Sequence, residues 1–206
     1  DKMNLIILLI ISFLLSLLII KNTNLNFLLN TILVTSGFYL FFITLRDFFI
    51  KGFNKLSQNL AHFGFSLFIL SILLNNIFSS EIITNLKIGE KFQKDNIEIN
   101  FEGVKKKSIN NYDTIIGKFK IIDFNGSEEV LEPELRIYNQ PNIVTSEADI
   151  KTDLFTDKFM TMNLVQNEDY FNIRYQVKPF MIWIWLSVLL ISLGGLLSLL
   201  NRRNEN

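Results

Sequence analysis

The chain has a single histidine, His62, inside the apolar stretch Leu56–Asn75. An ionisable ring among hydrocarbon tails is costly, so its presence calls for a use: relaying a proton, ligating a metal or a haem iron, or hydrogen-bonding across to a neighbouring helix. At helical spacing the ring shares a face with Gln58, Phe65, Ser66, Ile69 and Leu73. Gln58, one turn earlier, is placed to bond the second ring nitrogen and fix the tautomer. Gly64 leaves room for a flat macrocycle or a second helix to come close. An iron held by two imidazoles would need its other histidine from another polypeptide or an oligomeric twin, because this chain has none to give.

Other chemistries find little support. No Cys occurs, so thiolate ligation, thiol exchange and disulfides are excluded for this chain. Net charge is zero, which removes the electrostatic case for a nucleic-acid partner. There is no phosphate-binding glycine loop, no zinc-ligand cluster and no order of residues for a Ser-His-Asp hydrolase. Lys105-Lys106-Lys107 would attract an anionic group such as a haem propionate or lipid headgroup, or form a solvated turn. Glu128, Glu129, Glu132 and Glu134 flank a turn, where solubility accounts for them.

Four segments approach or exceed the roughly 20 residues that about 30 Å of hydrocarbon demands: 3–20, 25–45, 60–78 and 179–200. Lys21–Asn24 joins the first two as a hairpin. With a helix beginning near Leu56, His62 lies about 9 Å from its cytoplasmic end. Arg46, Lys51, Lys55, Arg202 and Arg203 mark the inner face against Lys21 opposite. That places 81–178 outside the cytoplasm and the basic tail inside. The chain opens Asp1-Lys2-Met3, read as an internal start, and its first apolar run has no small-residue cleavage site after it, which implies a retained anchor.

Residues 81–178 change period from 3.6 to 2. Ile97, Ile99 and Phe101 alternate with Glu98, Asn100 and Glu102, and Phe171, Ile173, Tyr175 and Val177 with Asn172, Arg174 and Gln176. Asn125-Gly126 has the residues of a type I′ hairpin turn. The expected fold is mixed: about four transmembrane helices and one extracytoplasmic antiparallel β domain, a small sandwich or open barrel. Pro179 suits the first turn of the last helix. Trp183 and Trp185 fall where indoles anchor at an interface, and Gly194-Gly195 with Ser198 forms a flat strip for close packing.

Three stretches together resemble the C-terminal part of the CcmF/NrfE family, the membrane subunit of the cytochrome c haem lyase. They are Asn59-Leu60-Ala61-His62-Phe63-Gly64; Leu86–Glu90 on to Leu131-Glu132-Pro133-Glu134, Arg136, Tyr138, Ser146–Ile150 and Asp153-Leu154; and Lys178-Pro179-Phe180 with Trp183–Leu186, Leu193–Leu196 and Arg202-Arg203. The resemblance implies that His62 is an axial ligand of a b-type haem whose other histidine lies elsewhere. It further implies that this haem supports covalent attachment of a second haem to apocytochrome c.

The partners implied are the N-terminal part of the same family, a haem chaperone, apocytochrome-presenting subunits and membrane lipid. The location implied is a bacterial inner membrane, or a mitochondrial one. The family's tryptophan-rich external platform and external histidines are missing from this sequence, which therefore looks like a C-terminal fragment or split-gene product and would not be catalytic alone. A competing reading makes the chain a membrane-anchored β adaptor for complex assembly or secretion, with no haem and with His62 as a packing residue.

Overall fold

The computed structural model describes residues 2–21, 23, 26–51, 55–94, 96–123, 126–165 and 169–204, and the chain divides into two units: residues 1–78 with 179–206, and residues 79–178.

The first unit is helical. It holds α1 (Lys2–Ile20), α2 (Phe27–Lys51), α3 (Leu56–Phe78) and α4 (Met181–Asn204). All four are long and apolar enough to cross a membrane. Asn26 caps α2, its side-chain oxygen accepting the Leu29 N–H at 3.3 Å. The helix then runs to Lys51, past the Arg46 boundary expected from charge, because Phe48-Phe49-Ile50 continues the apolar run. Likewise α3 begins at Leu56, a turn before Leu60.

Lipid offers no partner for a polar group, so helix hydroxyls bond backbone carbonyls of their own helix or one another. Ser12 and Ser16 bond carbonyls of their own helix. Ser16 also meets Thr35 of α2 at 2.6 Å, and Thr44 of α2 meets Ser66 of α3 at 2.6 Å. Glycines let α3 and α4 approach closely. A Cβ added to Gly64 would lie 2.9 Å from the Ile191 backbone nitrogen, and one added to Gly194 would lie 2.7 Å from both Ala61 N and Ser57 O. Gly195, the other half of the expected strip, faces open space.

The second unit is a two-sheet antiparallel sandwich. One sheet orders its strands β1 (Ser80–Leu86), β10 (Phe171–Pro179), β9 (Thr156–Leu164) and β8 (Asp149–Thr152). The other runs β2 (Lys91–Lys94), β3 (Ile97–Ile109), β4 (Tyr112–Asp123), β6 (Glu134–Tyr138) and β7 (Ile143–Glu147), with β5 (Glu128–Leu131) also paired to β4. Ile99, Phe101, Phe119, Ile121, Leu131 and Leu135 meet Ile82, Leu86, Met160, Met162, Ile173 and Tyr175 in the core. Phe101 and Phe119 stack there with centroids 4.3 Å apart. Gly117 is bare because a Cβ would fall 2.7 Å from the Met162 sulfur.

Several local expectations shift. A register break between Phe101 and Gly103 ends the strict alternation that opens β3. Lys105–Lys107 then lie within the exposed second half of that strand instead of in a turn. The β4–β5 hairpin forms and Gly126 takes φ 73°, but Asn125 lies outside the described residues. Pro179 ends β10 and does not open α4, and Phe180 makes the transition with φ 62°. The Pro179 carbonyl accepts the Asn75 side-chain amide at 2.5 Å.

Candidate functional site

Residues 56–66 of α3 separate into two faces. Asn59, Gly64 and Ser66 are buried, whereas Gln58, His62 and Phe65 are exposed. Positions 58, 62 and 65 follow the four-then-three spacing of a single helical stripe. The His62 ring therefore points away from the other helices of its unit, beside Gln58, on a surface otherwise apolar. No hydrogen bond joins the Gln58 amide to the imidazole among the described residues.

Gly64 belongs to the opposite side. Two residues along a helix turn the side chain by about 200°, and the room left by its missing Cβ is taken by Leu190 and Ile191 of α4. Of the two occupants its sequence position suggested, it receives the helix. Its effect on His62 is indirect: with Gly194 it seats α3 against α4 and so fixes which stripe of α3 is turned outward.

Leu45, Phe48, Phe49, Leu60, Phe63 and Leu190 line a wholly apolar hollow of about 210 Å³, below the roughly 300 Å³ at which small-molecule sites begin. Among the described residues no group of three or more His, Cys, Asp or Glu is placed to hold a metal ion. Trp183 is half-buried and Trp185 is 65% exposed at the start of α4, the arrangement of interfacial indoles.

The sandwich carries a polar group that sequence alone did not show. Lys158 Nζ lies 2.7 Å from Glu129 Oε1 and 3.2 Å from Asp123 Oδ2, with its side chain only 13% exposed. Burial pulls the ammonium down, but the hydrogen bonds to Glu129 and Asp123 outweigh it and hold Lys158 above its ordinary value. Tyr175 is buried with its hydroxyl unpartnered among the described residues, and burial pushes it up to about 12. The remaining members of the acidic set are distributed over the surface: Glu128 on Lys120, Glu134 on Arg136, and Glu132 at 4.0 Å from Lys105. Glu129 is the exception, and its partner is 29 residues away.

Four candidate membrane helices carrying an antiparallel β-sandwich define an integral membrane chain whose one imidazole is displayed outward. Residues 77–179 match the family model for the CcmF C-terminal beta-sandwich, so the chain belongs to the CcmF family. It is 33% identical over 167 residues to the cytochrome c-type biogenesis protein CcmF of Haemophilus influenzae, covering 78% of this chain and 26% of that one. Against CcmF of Pseudomonas aeruginosa it is 27% identical over 190 residues, covering 86% and 28%. A solved structure titled cytochrome c heme lyase CcmF shares the fold at TM-score 0.69 and 18% identity, over 95% of this chain and 34% of that one. The chain thus spans about a quarter of the length of these curated relatives.

Proposed function

We propose that this chain serves cytochrome c-type biogenesis as the C-terminal portion of a membrane haem lyase subunit, with His62 as one axial ligand of a b-type haem. The observation that carries the reading is the exposed imidazole at 62, on an apolar membrane helix and turned away from its neighbouring helices. The donor set suits a shared iron: one ring nitrogen is supplied here, and the second would come from another polypeptide, such as the family's N-terminal part or a second copy of this chain, since no other histidine exists in this sequence.

His62 would hold the iron, and Gln58 would bond the distal ring nitrogen and keep the tautomer that leaves the ligating nitrogen free. A haem held there would supply electron transfer to the iron of a second haem, the one whose vinyl groups add the thiols of apocytochrome c to form thioether bonds. Gly64 and Gly194 act by positioning, keeping α3 seated so that the ring stays on the outward stripe. Under this reading the sandwich lies outside the cytoplasm and meets a haem chaperone and apocytochrome-presenting subunits, in a bacterial or mitochondrial inner membrane.

The test is to co-purify the chain with the N-terminal part of the family and record the absorption spectrum. A low-spin b-type Soret band that disappears in His62→Ala, with both polypeptides still associated, is the expected result. A haem-free wild-type complex, or a band unchanged in His62→Ala, overturns the assignment and leaves the anchored β adaptor.

A further inference from the structure

The larger sheet of the sandwich outruns the core. Leu135 on β6 and its partner Ile115 on β4 still pack in it. The next row on the same face is Ser108, Asp113, Ile137 and Val144, paired in turn across β3, β4, β6 and β7, and no member of it belongs to that core. A hollow of about 420 Å³ lies along these two rows, within the range of binding sites. Ile115 and Ile137 give it an apolar floor, and Lys106, Lys107 and Thr114 join Ser108 and Asp113 in its wall.

Two cations at this hollow are uncommitted. Elsewhere on the sheet Lys91, Lys105, Lys118 and Lys120 each have a glutamate at 2.6 to 4.0 Å. Lys106 and Lys107 are exposed and have no acidic partner among the described residues. The carboxylate of the hollow, Asp113, is engaged instead by Ser108, whose hydroxyl donates to Oδ1 at 2.6 Å. Thr114 is 2% exposed, and its hydroxyl has no partner among the described residues. The hollow thus holds two unpaired ammonium groups and a spare hydroxyl around an isoleucine floor. The floor row continues to Val144, 54% exposed on β7, the strand that ends the sheet.

We propose that this hollow binds an acidic, extended segment of a partner polypeptide. A large apolar side chain seats on Ile115 and Ile137, and glutamate or aspartate carboxylates beside it meet Lys106 and Lys107. Charge selects the kind of partner, since a basic or neutral segment would leave both ammonium groups without a counter-charge. Length selects its conformation: the row from Ser108 to Val144 crosses four strands about 4.8 Å apart, roughly 14 Å, which an extended chain covers in about four residues. The inference does not depend on the haem assignment.

The test uses the full chain in phosphatidylcholine nanodiscs and a short, capped, fluorescent peptide with leucine between two glutamates, flanked by glycine and serine. Its counterpart with glutamine for glutamate is the control. Expected is a saturable rise in anisotropy with the acidic peptide, at least several-fold weaker with the glutamine peptide and weakened by added salt. The double variant Lys106→Gln, Lys107→Gln should bind several-fold more weakly with its thermal midpoint unchanged, and Lys106→Gln alone serves should the double variant fail to fold. Lys94→Gln, an exposed lysine on β2 of the same sheet, should bind as wild type does. No saturable binding of the acidic peptide, equal binding of the glutamine peptide, or equal binding by the lysine variants overturns the proposal.

Discussion

Lys158 and Glu129 meet at 2.7 Å between the two sheets of the sandwich, with Asp123 completing the group on the other side of the ammonium. Removing the cation strands two carboxylates in a half-buried setting, and loss of one partner costs more than the intact group contributes. Lys158→Met is expected to lower stability by about 2 kcal/mol, read as a drop in thermal midpoint by circular dichroism of the chain in detergent. The triple change Lys158→Met, Glu129→Gln, Asp123→Asn should recover a good part of that loss; a triple variant no better than the single one would contradict the account.

Tyr175 gives the β domain an alkaline limit. Its pKa is pushed up to about 12 by burial, against about 10 when unfolded. Between those values the folded chain keeps a proton that the unfolded chain has released, so stability falls as pH rises through that window, by about 2 to 3 kcal/mol in all. Below pH 10 the effect is absent. Tyr175→Phe should flatten the alkaline profile, followed by thermal melts from neutral pH upward. At neutral pH the same change should be near neutral, because the hydroxyl it deletes has no partner among the described residues.

Gly194 and Gly195 are adjacent in sequence and opposite in consequence. Gly194→Val drives side-chain atoms into the Ala61 and Ser57 backbone, and an overpacked contact of this kind costs about 1 to 3 kcal/mol. Gly195→Ala meets nothing within 4 Å and should be neutral, or gain up to about 1 kcal/mol from helix propensity. Thermal unfolding of both variants in the same detergent compares them, and equal losses would mean that the two helices do not pack through 194.

Because the His62 and Gln58 side chains are exposed, His62→Ala and Gln58→Leu should leave the thermal midpoint within about 0.5 kcal/mol of wild type. They should differ in haem content of the complex with the N-terminal part. If His62 is an axial ligand as proposed, His62→Ala should abolish the Soret band and Gln58→Leu should weaken haem affinity by about 10-fold. A large stability loss in His62→Ala would instead mark the ring as a packing residue.

The spans and the alternating strands were legible because each is a local signal: Leu60–Phe78 is mostly apolar and holds no Asp, Glu, Lys or Arg, and Phe171–Val177 alternates without a break. What escaped was non-local or depended on one residue's backbone. No spacing rule links Glu129 to Lys158, and reading the four glutamates together concealed the one that turns inward. The bulge at Phe101–Gly103 reverses which side chains face the core, so Lys105–Lys107 read as a turn when they lie in a strand. Gly64 was noticed beside the histidine, but which neighbour used its space depended on Ile191, on a helix more than a hundred residues later.

The pairing of Ser80 with Val177 has a practical outcome. Residues facing each other in antiparallel strands have their Cα atoms about 5 Å apart, so the two ends of the hundred-residue insert leave it side by side, like the posts of a plug. Such an insert is a cassette: it can be excised and α3 joined to α4 by a linker of a few glycines and serines, or transplanted into another helical hairpin, without asking either host segment to stretch.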